Sequence, residues 1–287
     1  MKPDGSTSTS SLSCEASGLD DVWVEGQGLV RYRFPRLACE PGVRHGIFTR
    51  HGGVSRPPFH TFNLAKGVGD RPSDVDENRR RLRRAMGGGR LVLVRQVHGI
   101  TPLVVRCPDP EGFRGSPGDW VAGEGDAVIT DCPGLWLTIL VADCQAVLLW
   151  DPDRRVVANI HAGWRGSVGN IAGATIVEMT RRFGTDPRRL VAGIGPSLGP
   201  CCAEFIHYRS EIPRDLWRFK RPGSRFDFWE MTRYQLARAG VAPERISTSG
   251  ICTRCGTDLF FSYRAERTTG RFAAVIGMDP TAEPGRV

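Results

Sequence analysis

The chain has 287 residues, 40% hydrophobic and 24% charged, a composition that describes a globular protein able to bury a sizeable core. Glycine (35) and proline (20) make up about a fifth of it, short of the roughly 25–30% typical of low-complexity chains, so it is loop-rich without being disordered. A formal charge of +8 invites a nucleic-acid partner, but the basic residues are scattered arginines with only three lysines, and no basic strand interleaved with aromatics appears; nucleic acid is excluded as the main ligand.

Residues 1 to 20 are rich in Ser and Thr, lack the apolar stretch of a signal peptide, and read as a flexible tail. No apolar run approaches the roughly 18 residues of a membrane span, so no membrane partner is expected. Nine cysteines, an odd number without secretory features, argue for a reducing, cytoplasmic setting and against a disulfide framework.

The stretch Arg44 to Val54, RHGIFTRHGGV, predicts a short strand at Ile47 to Thr49 running into a Gly-Gly turn, and HTFNLAKGVGD predicts a polar loop. Such loops place Arg50, His51 and Asn63 where they can touch a ligand or simply shape a turn. Asp74, Asp76 and Glu77 precede Arg79, Arg80, Arg81, Arg83 and Arg84, the charge order of a helix with a solvated basic face. Leu91 to Val97 predicts a strand ending at His98-Gly99, with Thr101 to Val105 as its partner. Residues 107–125 read as a Pro/Gly/acidic connection, and Asp126 to Thr130 as a further strand.

Three apolar runs follow: Leu135 to Val141, Ala146 to Trp150 and Val156 to Ile160, each of strand length and rich in branched residues. Asp143 and Cys144 sit at the break between the first two. The turn Asp151 to Arg155 reverses the chain, so the end of the third strand returns toward that break and His161 can lie near Cys144. After His161, AGWRG leads into Val168, Ile171, Ala172, Thr175, Ile176, Met179 and Phe183 at helical spacing, with Ser167 as N-cap and Gly184 as stop. A helix start beside Arg165 suits an anion such as phosphate; the plainer reading is an ordinary turn between strand and helix.

Leu190 to Ile194 predicts a strand that enters GPSLGPCCAEF, where Cys201 and Cys202 are adjacent. Cys252 and Cys255 form a lone C-x-x-C, with no second pair in the sequence to complete a structural metal site. Arg264 and Arg271 flank a glycine turn and can reach an anion. The strand-end residues His98, Cys144 and His161 are the best metal set: two imidazoles and a thiolate leave a fourth tetrahedral position open, as catalytic zinc requires. Two satisfied histidines and a cysteine packing as a small hydrophobe are the alternative.

The series FTRHGGVS, NLAKGVGD, ENRRRL, RQVHG, GDAVITDCPG, VADCQAVLLWDP, HAGWRG, IGPSLGPCCAEF, CTRC and FFSYR resembles, in that order, the laccase-domain family, whose members are called multicopper polyphenol oxidases or purine nucleoside phosphorylases. The resemblance spans roughly residues 44–277. It implies an α/β fold, with mixed β-sheets sandwiched between helices (α-β-β-α) as a single domain over 21–287. It also implies zinc, purine nucleosides and phosphate as ligands, and phosphorolysis with adenosine deamination as a second activity. The family's zinc ligands fall on His98, Cys144 and His161, and its polar pocket positions on Arg50, Asn63 and Arg264. Ala203 and Ala265 depart from the Tyr and Arg usual there.

Cys144 and Arg165 are thus assigned to the catalytic site, with Asp143 either supporting the metal and moving protons or capping a turn. Copper is the alternative metal, and polyphenol oxidation the alternative reaction. A multicopper enzyme needs many imidazoles beyond its blue-copper site, and this chain has six histidines in all, so zinc is favoured. A weakly catalytic, partner-binding protein with structural zinc is the remaining reading.

Overall fold

The run Leu135–Val141 is apolar at every position, and a strand with two apolar faces needs cover on both sides. The computed structural model describes residues 20–24, 28–107 and 119–279, and it supplies that cover in four layers. In chain order the first strands are β1 (Asp20–Val24), β2 (Leu29–Arg33), β3 (Val43–Phe48), β4 (Arg90–Arg95), β5 (Pro102–Val105), β6 (Asp119–Glu124) and β7 (Ala127–Thr130). There follow β8 (Leu135–Val141), β9 (Gln145–Asp151), β10 (Val156–Ala162), β11 (Val191–Ile194), β12 (Lys220–Arg221), β13 (Arg225–Phe226), β14 (Ile246–Thr248) and β15 (Phe272–Met278). The helices are α1 (Pro35–Ala38), α2 (Pro72–Ala85), α3 (Trp164–Val168), α4 (Ile171–Phe183), α5 (Tyr208–Glu211), α6 (Phe228–Arg238) and α7 (Tyr263–Glu266). None is long and apolar enough to cross a membrane.

One sheet has the order β1-β2-β3-β15-β8-β4-β6 and the other β14-β11-β9-β10-β7-β5. Both are mixed, with parallel pairs at β4–β8, β4–β6, β5–β7 and β11–β14. Alternation along each strand sorts the apolar side chains. Leu137 and Ile139 of β8 and Ala274 and Ile276 of β15 meet Leu148, Trp150 and Val157 of the second sheet in the central core. Trp136, Ala273 and Val275 point the other way, toward Leu82 of α2. Val147, Leu149, Ala158 and Ile160 face Ile171, Ile176 and Met179 of α4 and Leu236 of α6. This is the α/β architecture of mixed sheets between helices that the sequence implied. Asn159 ties the sheets together: fully buried, it donates to Leu137 O at 2.9 Å and Ala274 O at 2.8 Å.

The β9–β10 hairpin matches expectation, with His161 opposite Ala146. Other expectations change. Thr101–Val105 does not pair with the strand before it; β5 lies parallel to β7 in the other sheet, because His98 turns the chain with a left-handed φ of 59°. That register sets Val105 opposite Thr130, which brings Cys107 and Cys132 together two residues further on. They form a disulfide with Cα atoms 5.3 Å apart, and Cys39 is disulfide-bonded too, which runs against the expectation that the cysteines build no disulfide framework.

The segment 107–125 is not wholly a connection, since β6 occupies its end and pairs with β4. Asp119 at the start of β6 draws in Arg79 (3.0 Å) and Arg83 (2.6 Å), so part of the arginine cluster is buried, while Arg80, Arg81 and Arg84 pair with Glu77. The single helix expected after HAGWRG is two. Ser167 lies buried inside the short α3, and Asn170, at φ 63°, caps α4 by accepting from Gly173 N–H at 3.1 Å. Asn tolerates the left-handed region and its short side chain reaches back to the helix, so the break falls there. The N-terminal tail at residues 1–20 lies almost entirely outside the described residues.

His45 on β3 makes one consequence testable. It is buried and its Nε2 accepts Phe34 N–H at 2.8 Å; burial first, then Arg33 and Arg31, hold its pKa down to about 3. The unfolded chain takes up this proton near pH 6.5 and the folded one does not, so the stability His45 contributes is complete above pH 6.5 and is lost as pH falls toward 3. The limiting slope is about 1.4 kcal/mol per pH unit, or roughly 2 kcal/mol between pH 6.5 and 5. His45→Gln keeps an acceptor for Phe34 and should flatten this acid branch in urea titrations at the two pH values. An unchanged slope would assign the loss to other groups.

Candidate metal centre

Strand alternation sends His161 to the same face of β10 as Val157 and Asn159, toward the layer between the sheets. Cys144 lies in the link where the chain passes from β8 in one sheet to β9 in the other, and His98 follows β4. Both turns carry a non-glycine residue at positive φ, His98 at 59° and Asp143 at 86°, as often happens at functional sites. The result brings together three residues distant in sequence: one ligand atom from each of His98, Cys144 and His161 lies within 4.8 Å of the others.

Two features show that this set fits a metal. Asp126, fully buried, accepts from His161 Nδ1 at 2.8 Å and from the backbone N–H groups of His98 (2.9 Å) and Gly99 (2.6 Å). One carboxylate thereby orients the ring of one histidine and the backbone of the other, and it leaves His161 Nε2 free to ligate. Gly163 supplies the space: a Cβ there would stand 2.8 Å from His98 Cδ2 and 3.3 Å from Cys144 Sγ.

The electrostatics agree. Burial alone would raise the Cys144 thiol, but hydrogen bonds and charge from His161 and His98 outweigh it and bring the pKa to about 6. Burial works against a charged His161, yet Asp126 and Cys144 raise it to about 9. A thiolate and a carboxylate around one imidazole form a site where a divalent cation can take the place of a proton.

A cleft of about 310 Å³ opens beside Cys144 and His98, within the range of small-molecule sites. Trp164, Phe205, Phe228 and Tyr263 give it aromatic faces, and Arg165 and Arg264 give it charge. Gln145 Nε2 and Ser167 Oγ, both on residues of its wall, are buried without a hydrogen-bond partner. A second recess of about 280 Å³, bordered by Gln96, His161 and Arg271, shares His98, Cys144 and Tyr263 with the first. The ligand set thus stands between two openings.

The remaining expected site residues divide. Asp143 borders the cleft, but its carboxylate is fully engaged, accepting from Thr253 Oγ1 and Ser262 Oγ at 2.7 Å each and from Arg264 N–H at 2.6 Å. It anchors α7, which carries Tyr263 and Arg264, over Cys144. The Arg264 guanidinium donates to Glu204 O at 3.2 Å. Arg165 is exposed and lies 4.4 Å above the Trp164 ring.

Arg50 and Asn63 do not line the cleft. Arg50 is buried on Phe261, donating to Thr257 O at 2.6 Å and Glu266 Oε1 at 3.0 Å, and Asn63 is buried between Asp70 (2.8 Å) and Arg271 N–H (2.9 Å). Each braces the loops behind the site. Ala203 is buried in an apolar cluster, and Phe205 two residues on supplies the aromatic face. Asp126 and Gly163 lie outside the expected site residues, although a carboxylate opening an apolar strand is a signal for the first.

The model of the family described as multi-copper polyphenol oxidoreductase laccase matches residues 44–279. A protein of Geobacillus stearothermophilus named purine nucleoside phosphorylase YlmD is 37% identical over 265 residues, covering 88% of this chain and 95% of its own. Escherichia coli YfiH, also named a purine nucleoside phosphorylase, is 33% identical over 253 residues, covering 84% and 96%. The crystal structure of Geobacillus stearothermophilus YlmD aligns with a TM-score of 0.78 at 34% identity, over 90% of this chain and 98% of that one. By motif series, length of match and fold, this chain belongs to the multi-copper polyphenol oxidoreductase laccase family.

Proposed function

We propose that this chain is a zinc-dependent purine nucleoside phosphorylase that also deaminates adenosine. The carrying observation is the grouping of His98, Cys144 and His161, the first two of which line a cleft that also presents aromatic faces and two arginines. Trp164, Phe205 and Tyr263 offer flat surfaces for a purine, and Gln145 Nε2 and Ser167 Oγ offer unused hydrogen-bonding capacity for its polar edge or the ribose. Arg165 and Arg264 suit phosphate. A zinc ion held by the three ligands would supply Lewis-acid polarisation of a substrate oxygen. The protein's share is chiefly positioning and charge stabilisation. Zinc is favoured over a multicopper set because, among the described residues, no histidine besides His98 and His161 joins a cluster of three or more ligand groups.

Purified, metal-verified protein should convert inosine and phosphate to hypoxanthine and ribose-1-phosphate, and adenosine without phosphate to inosine. Copper-loaded protein that oxidises phenols but releases no base from any purine nucleoside would overturn this reading in favour of the oxidase. Arg165→Ala should weaken phosphate use by roughly ten- to a hundredfold, the equivalent of about 1.5–3 kcal/mol for a lost charge-assisted contact, with zinc content unchanged. Unaltered phosphate dependence would make Arg165 a turn residue stacked on Trp164.

A further inference from the structure

The cysteines without an apparent role in the sequence converge in the fold. Strands β11 and β14 are parallel neighbours, with Ile194 opposite Thr248, so the loops that leave them run side by side, joined again by a bridge between Ser197 and Cys252. One loop carries the adjacent pair Cys201 and Cys202, the other the C-x-x-C pair Cys252 and Cys255. All four sulfur atoms lie within 4.8 Å of one another.

The spacing is that of ligands around one ion. Cys255 Sγ lies 3.7 Å from Cys201 Sγ and 3.6 Å from Cys202 Sγ. Two sulfurs bound to a tetrahedral zinc at about 2.3 Å stand about 3.8 Å apart, whereas a disulfide needs about 2.05 Å. All four are free thiols, although the same chain closes Cys107 to Cys132. The surrounding backbone supports thiolate charge: Gly199 N–H points at Cys252 Sγ from 3.3 Å. Gly199 also has no room for a side chain, since a Cβ there would meet Trp229 at 2.7 Å and Cys252 Cβ at 3.0 Å.

We propose that Cys201, Cys202, Cys252 and Cys255 form a second metal site, a closed four-thiolate site that takes one zinc ion in a structural role. Four protein ligands leave no open position, unlike the three at His98, Cys144 and His161. The ion would fasten two walls of the cleft to each other. The first loop also carries Ser197, Leu198 and Phe205 of the cleft, and the second carries Thr253, whose hydroxyl holds Asp143 beside Cys144.

The test is zinc stoichiometry with X-ray absorption spectroscopy on the full chain purified without chelator, which requires no turnover and is independent of the proposed reaction. Wild type should hold about two zinc ions per chain with an average of about 2.5 sulfurs each at roughly 2.3 Å. Cys144→Ala should keep about one zinc, surrounded by sulfur alone. The double variant Cys201→Ser, Cys255→Ser should keep about one, with a single sulfur and imidazole nitrogen. A wild-type protein with one zinc and one sulfur neighbour would overturn the proposal without any variant having to fold. Disulfides among the four cysteines in metal-replete protein, or iron in their place, would overturn it too.

Discussion

Cys144→Ala should abolish base release from inosine and remove the zinc bound with His98 and His161. The expected loss in rate is roughly a thousandfold or more, since metal polarisation is worth several kcal/mol and each 1.4 kcal/mol is tenfold. His98→Ala and His161→Ala should behave alike, because a site with two protein ligands holds zinc poorly. Phosphorolysis and adenosine deamination should vanish together in all three if one centre serves both. Circular dichroism separates this outcome from misfolding: His98 is the exposed member of the set, whereas His161 is buried and Cys144 packs against the central core, so the His98 variant is the cleanest of the three. A folded Cys144→Ala protein that has lost the zinc of this centre and still releases hypoxanthine would move the chemistry away from it.

The second large effect belongs to residues that touch no substrate. Asp126→Asn keeps the shape of the side chain but can present an amide N–H to His161 Nδ1, and it weakens the acceptor for the backbone of His98 and Gly99. Burial opposes the Asp126 charge, yet hydrogen bonds from His161, Gly99 and His98 hold its carboxyl below the usual range and so favour the ionised form. Loss of such an orienting partner should weaken zinc binding or activity by about ten- to a hundredfold. Gly163→Ala should act in the same direction by a different route, since its Cβ would press on His98 Cδ2 from 2.8 Å. The measurement is zinc affinity by competition with a chromophoric chelator. Wild-type affinity in Asp126→Asn would reduce Asp126 to a cap for the His98 turn, and wild-type affinity in Gly163→Ala would show that the histidine turn yields at little cost.

The amino-acid order by itself determined the elements that local chemistry controls. Leu135–Val141, the β9–β10 hairpin and the α4 stop at Gly184 follow from apolar runs of strand length, a polar turn and helical spacing, all readable within a dozen residues. His98, Cys144 and His161 were legible because each stands at the end of such a run, and the motif series added the family. Contacts between segments were decided only in three dimensions. Parallel neighbours such as β5 with β7 and β11 with β14 are joined by no short turn, so nothing local marks their pairing. From those two pairings come the Cys107–Cys132 disulfide and the meeting of Cys201, Cys202, Cys252 and Cys255. The same limit explains Arg50, Asn63 and Asp126. A polar residue in a loop looks alike whether it faces a ligand or braces the loop behind it, and which it does depends on the partners that packing brings within hydrogen-bond reach.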